Sequence, residues 1–176
     1  VSPSASLLQH EAFAELSDAG RQKLEQATQL LRFRIGQALC DGQLIPHQVL
    51  LIREGTARLL GEEGHTLITL GRMGPGAVVG LASLLRVQGC ELVTAASDLE
   101  AWSLPDALVL ELFQQEPGFR RWCTQQLFPA ELAELAGQLA ARSRQVPHGL
   151  VNSLNALLKQ AAVLPAEAEA LAQAQE

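Results

Sequence analysis

The chain has 176 residues, a formal net charge of −6 and a pI near 5.2, enough for one domain with a sizeable core plus a helical appendage. Hydrophobic residues make up 48%, which excludes a disordered chain. No block of Lys or Arg stands out, so a nucleic-acid surface gets little support. Tyr is absent and aromatics total 4%, which argues against base-stacking platforms for single strands.

Cys40, Cys90 and Cys123 lie far apart and form no CxxC pair, a pattern that suits reduced thiols in a cytoplasm. His10, His47, His65 and His148 are equally dispersed, so no metal spacing emerges and no metal is expected. No basic segment followed by an apolar run opens the chain, and no apolar run approaches the roughly 18 residues of a membrane span. The Ala/Glu/Gln-rich end and the Val1 start suggest a segment of a longer protein.

In chain order, helical periodicity comes first. Leu8, Ala12 and Leu16, then Leu24, Ala27 and Leu31, recur at steps of three and four. Ser17-Asp18 is placed to start the second helix, because both side chains accept bonds from free backbone amides. From Arg32 the pattern alternates, and Gly36 turns the chain. Val49 to Ile52 is a continuous apolar run, as a strand buried on both faces requires. Gly61 to Gly64 and Gly74-Pro75-Gly76 are turn signals between further alternating segments, which end at Leu104. Seven or eight short strands at regular spacing indicate a sandwich or barrel.

After Pro105 the chain is helical to its end. Pro105-Asp106 fits a helix start, Glu116-Pro117-Gly118 breaks that helix, and Pro129 opens a longer one with Glu131 in its first turn. Phe128, Leu132, Leu135 and Leu139 step by four, three and four. This stripe packs either on its own domain or on its copy in a second chain. Pro147 ends it, and helical pieces near 150–162 and 165–175 follow. The expected fold is α+β: N-terminal helices over 1–31, an antiparallel β-roll of jelly-roll type over 32–105, C-terminal helices over 106–146, and a helical tail over 147–176.

Residues 76–97, Gly-Ala-Val-Val-Gly-Leu-Ala-Ser-Leu-Leu-Arg-Val-Gln-Gly-Cys-Glu-Leu-Val-Thr-Ala-Ala-Ser, carry the chemistry. With Gly36, Gly55, Gly76 and Gly80 in order, about residues 13–145 resemble a cyclic-nucleotide-binding domain, the small β-roll of the catabolite-activator family. The resemblance implies that 76–97 is a phosphate-binding cassette. In that family a Glu after the second Gly holds the ribose hydroxyl, and a downstream Arg neutralises the cyclic phosphate. Here Leu81 stands at the Glu position, Gly89 is the best match to the Arg, and Cys90 falls where the family has Thr or Ser. Gly80, Leu81, Ala82, Ser83, Arg86, Gly89 and Cys90 are the candidate site, with Arg86 placed to reach in as a substitute cation.

Charged hydrogen bonds contribute roughly 1.5–3 kcal/mol each, so losing two removes about 3–6 kcal/mol. That is a factor of about a hundred to ten thousand in affinity. The expectation is that cAMP and cGMP do not bind at physiological concentration. Leu81, Leu84 and Leu85 could instead fill the pocket.

Other readings carry less. Ser83 has no nearby His for a catalytic arrangement. Cys90 beside Glu91 lacks the positive surroundings of a low-pKa thiol. No Gly-rich loop ending in Lys-Ser/Thr is present, and nothing resembles a catalytic constellation.

Two parents are compatible. Phe119 to Cys123 and Phe128 to Leu132 look similar to the helical segment after the roll in bacterial ABC exporters of toxins or bacteriocins. The domain would then be a non-catalytic docking piece on the cytoplasmic side. The alternative is the effector domain of a catabolite-activator-type transcription regulator cut before its DNA-binding part. In this chain residues 149–176 hold only Lys159 as a cation, whereas a recognition helix is basic.

Overall fold

A computed structural model of the chain describes residues 7–63 and 66–141, together with 153 and 156. The helical pieces expected near 150–162 and 165–175, Pro147, and the side chain of Leu139 lie outside the described residues.

A 3-10 turn, Glu11–Phe13, precedes helix α1, Asp18–Ala27. Eight strands follow: β1 Gln29–Phe33, β2 Ala38–Cys40, β3 Gln48–Glu54, β4 Ala57–Glu63, β5 Thr66–Met73, β6 Val78–Val79, β7 Leu92–Ala95 and β8 Leu99–Pro105. Helix α2, Leu81–Arg86, lies between β6 and β7. After β8 come α3 Asp106–Gln115, α4 Pro117–Gln125 and α5 Pro129–Ala141. The strands form two antiparallel four-stranded sheets, in orders β1-β8-β3-β6 and β2-β7-β4-β5.

The first sheet is the middle of three layers, which explains the unbroken apolar run in β3. Val49 and Leu51 enter a core shared with Phe13, Leu16, Leu24, Leu108, Leu112 and Phe119 of the helical layer. Leu50 and Ile52 point the other way, into a core shared with Leu59, Val93 and Ala95 of the second sheet. Alternating side chains leave a strand by opposite faces, so a strand in the middle layer must be apolar at every position. β8 does the same, with Trp102 and Leu104 on the helical side and Leu99 and Ala101 between the sheets.

Ser17 caps α1 by accepting from the Gly20 amide at 3.1 Å. The buried Glu116 accepts from the Ser17 hydroxyl at 2.5 Å and from its amide at 3.1 Å. Phe13 stacks on Phe119 with centroids 5.9 Å apart, fixing the N-terminal segment on α4.

Two boundaries differ from the sequence reading. β1 begins at Gln29 rather than Arg32, because Leu31 pairs with Ala101 of β8 instead of continuing α1. Gly61 to Glu63 extend β4 rather than forming a turn, since each pairs across to β5.

Gly55 sets the tight approach of the β3–β4 turn to β8. Its φ is +89°, and an added Cβ would meet the Asp98 carbonyl oxygen at 2.5 Å and the Leu99 Cβ at 2.6 Å. Left-handed backbone costs an L-residue about 1–2 kcal/mol, and overpacking adds about 1–3. Gly55→Ala is expected to lower stability by about 2–5 kcal/mol in urea unfolding. Gly36→Ala, at a φ of +82° with open space around it, should lose only about 1–2 kcal/mol.

Candidate functional site

The cassette runs from β6 through Gly80, which is left-handed at φ 89° and offers no side-chain cap, into the six-residue helix α2 and back to β7. The first turn of any helix presents amides with no partner inside the helix. Here a single side chain meets two amides at this end. Glu91, eleven residues on, accepts from the Gly80 amide at 3.1 Å through Oε1 and from the Ser83 amide at 3.0 Å through Oε2. The Ser83 hydroxyl donates to the same Oε2 at 3.1 Å. That hydroxyl also accepts from the Cys90 and Glu91 amides, at 3.1 and 3.2 Å. Glu91 is 5% exposed and Ser83 fully buried.

The Glu91 carboxylate therefore occupies the Gly80 and Ser83 amides of this turn, and no Lys or Arg is bonded to it among the described residues. Burial pushes its pKa above the ordinary 4.5, the two amides and the hydroxyl pull it down, and the neighbouring Glu131 pushes it up again. The net direction is upward. A phosphate brought to the same amides would have to displace a carboxylate on a short tether. Two unit charges about 4 Å apart repel by about 4 kcal/mol at an effective dielectric near 20. This adds to the loss of the two charged side chains that the cassette lacks.

The candidate residues take different places. Gly80 and Ser83 meet at Glu91, with buried Ala82 between them in sequence. Leu81 and Leu84 join the core beneath the helical layer with Val49, Leu51 and Trp102. Arg86 pairs outward with α5, at 2.7 Å from Glu134 and 3.4 Å from Glu131. It holds the Glu134 carboxyl below the usual range, chiefly by their hydrogen bond. Gly89 lies against the β2–β3 loop, where a Cβ would meet Gln43 C and Leu44 N at 2.5 Å. No side chain fits at that position. Cys90 is half-buried, with its sulfur 3.5 Å from the Ser83 hydroxyl oxygen.

Burial pushes Cys40 up to about 12 and raises Cys90 as well, so neither is a nucleophilic thiolate at neutral pH. Among the described residues no group of three or more His, Cys, Asp or Glu could hold a metal. A separate cavity of about 600 Å³ is lined by Arg34, Gln37, Glu54, Asp98 and neighbours, and includes no cassette residue. Of the stripe on α5, Phe128 packs on the helical-side core, Leu132 is half-buried and Leu135 is 44% exposed.

Sequence reasoning missed Glu91, Glu131 and Glu134. A signal for Glu91 was present: it is the one charge in the run Gly89-Cys-Glu-Leu-Val-Thr-Ala95. A lone acid in a strand entering a core needs donors.

Glu91→Gln replaces one acceptor oxygen with a donor facing donors, and is expected to cost about 1–3 kcal/mol. A carboxyl whose pKa rises on folding gives its full stability below about pH 4.5 and loses it as pH climbs through the raised value. The wild-type advantage over Glu91→Gln should therefore shrink from pH 4.5 towards neutrality in paired urea unfolding curves. Arg86→Ala removes part-exposed ion pairs, so global stability should fall by less than about 1 kcal/mol. Amide exchange in Pro129–Ala141 should nevertheless accelerate in that variant.

A family profile for the cyclic nucleotide-binding domain matches residues 30–116. No curated protein sequence matches the chain significantly. Among solved structures, a protein described as cyclic nucleotide-binding from Geobacter metallireducens aligns at TM-score 0.58 and 18% identity, over 70% of this chain and 90% of that one. The sensor domain of the transcriptional regulator DNR from Pseudomonas aeruginosa aligns at TM-score 0.60 and 15% identity, over 81% and 92%. The regulatory subunit of a cAMP-independent protein kinase A from Trypanosoma brucei aligns at 0.56 and 15%, over 70% of this chain and 50% of that one. The two sheets, the flanking helices, the cassette between β6 and β7 and the profile match agree: residues 30–116 form a cyclic nucleotide-binding domain.

Proposed function

We propose that this domain is a non-catalytic regulatory or docking module whose cassette has been closed to cyclic nucleotides by its own carboxylate. The observation that carries the reading is Glu91 on the Gly80 and Ser83 amides. An intramolecular acceptor is present at high effective concentration and never leaves, so a free phosphate competes poorly for the same donors. Two solved structures that the fold resembles, from Trypanosoma brucei and Trypanosoma cruzi, are named as regulatory subunits of a cAMP-independent protein kinase A.

The parent is best read as a toxin- or bacteriocin-secreting ABC exporter with this domain on its cytoplasmic side. What supports this is the similarity of the segment from Phe119 to Leu132 to the helices after the roll in such exporters. No described helix is long and apolar enough to cross a membrane. A second reading, the sensor domain of a transcription regulator, is supported by the similarity to the Pseudomonas sensor domain, of which this chain covers 92%. The parent sequence separates them: membrane spans and an ATP-binding loop downstream mean exporter, and a compact basic tail means regulator.

In either parent the stripe Phe128, Leu132, Leu135 and Leu139, of which Leu135 is exposed, is the surface for pairing two copies. Leu135→Asp is expected to leave the chain monomeric in sedimentation equilibrium, where the wild type self-associates.

Calorimetric titration tests the central reading. Cyclic AMP and cyclic GMP should give no heat and no melting shift up to millimolar concentration. A ligand at a hundred times its Kd stabilises by about 2.7 kcal/mol, so a micromolar site would be plain and would overturn the proposal.

A further inference from the structure

Five of the ten described Lys and Arg side chains lie beside acids: Lys23 has Glu111, Arg32 and Arg53 share Glu100, Arg86 has Glu131 and Glu134, and Arg121 has Glu15. Of the others, Arg21 and Arg120 bond backbone carbonyls, while Arg58 and Arg72 face each other. They are directly opposite each other in the β4–β5 register, so both side chains leave the same face of the sheet. Both are exposed, and among the acids whose side chains the structure describes neither has a partner, the side chains of Glu62 and Glu63 lying outside that set. Their row continues through Thr94 of β7 and Ala38 of β2, which carry no charge. Like charges directly opposite across strands are destabilising, so the pair opposes the fold unless something negative covers it.

The second observation is the edge. β5 closes the sheet order β2-β7-β4-β5 and pairs only with β4. Its sequence, Thr-Leu-Ile-Thr-Leu-Gly-Arg-Met, has eight residues, no Pro, no Lys and Arg72 as its one charge. Leu67 is 60% exposed, and Thr66 and Thr69 are exposed. Edge strands of this length are ordinarily blunted by charges, Pro or a cover, because their free N–H and C=O groups accept another strand.

We propose that β5 takes an extended acidic segment of a partner protein as an added strand, with a carboxylate of that segment held by Arg72 and Arg58. An added strand lies about 4.8 Å from β5 and about twice that from β4. A residue opposite Arg72 is therefore within reach of both long side chains. Main-chain bonds supply affinity in such strand addition, and side-chain pockets supply choice of partner. Two arginines on a chain of net charge −6 are too few for a nucleic-acid or anionic-lipid surface, which needs a cluster of about four to eight cations. The proposal does not depend on the state of the cassette.

The test uses the full 176-residue chain and an end-labelled octapeptide of alternating Val and Glu, read by fluorescence anisotropy. Saturable binding that weakens with salt is expected. The double variant Arg58→Gln with Arg72→Gln should bind at least tenfold more weakly, and a Val-Lys peptide should not bind. Peptide should slow amide exchange across Thr66–Met73. Arg58→Glu should raise the melting temperature while abolishing binding, which separates lost function from lost fold. Equal binding to the double variant, equal binding of the Val-Lys peptide, protection elsewhere in the chain, charge-insensitive pairing of two chains through β5, or no binding at millimolar peptide would each overturn it.

Discussion

Bare amides at the start of a short buried helix must find acceptors, and in this domain the acceptor is a carboxylate eleven residues further along the chain. Leaving a buried donor unmade costs about 1–3 kcal/mol, so the bonds from Gly80, Ser83 and the Ser83 hydroxyl to Glu91 fix how the chain returns from α2 into β7. The Ser83 hydroxyl completes the tie by accepting from the two amides of that return. Both carboxylate oxygens of Glu91 and the Ser83 hydroxyl are bonded inside the protein.

The closed cassette is also fastened to what surrounds it. Leu81 and Leu84 anchor α2 in the core shared with the helical layer, while Arg86 at its C-terminal end reaches Glu131 and Glu134 on α5. Ala130 of α5 is buried in the core between the sheets, so this helix begins inside the roll. Glu131 lies near enough to Glu91 to raise its pKa, and Arg86 lies near enough to Glu131 to offset that acid. The cation of the cassette therefore balances the charge of α5. It is not on the amides where an incoming phosphate would need it.

Much of the fold was legible because its constraints are local. The unbroken run Val49 to Ile52 announced a strand with two buried faces, and the ordered glycines marked its turns. Pro129 opened a helix where expected, and the break expected at Glu116-Pro117-Gly118 fell between α3 and α4, the second of which Pro117 opens. The boundary of β1 was missed because Leu31 continues a helical spacing, and only pairing with Ala101 makes it a strand residue. The departure of the cassette from the family pattern was legible at Leu81 and Gly89. The role of Glu91 was not, because its burial depends on β7 pairing with both β2 and β4, a long-range fact. Gly89 was read as a lost arginine. The structure gives it a reason of its own, the backbone of Gln43 and Leu44 pressed against it.

The claim that Glu91 stands where an effector would bind is tested most directly at the amides themselves. In a ¹H–¹⁵N spectrum the Gly80 and Ser83 resonances should follow one carboxyl titration centred above 4.5, lose that titration in Glu91→Gln, and stay in place with cyclic AMP added to millimolar concentration. Movement of these two resonances at micromolar cyclic AMP, or their indifference to the carboxyl titration, would contradict the account.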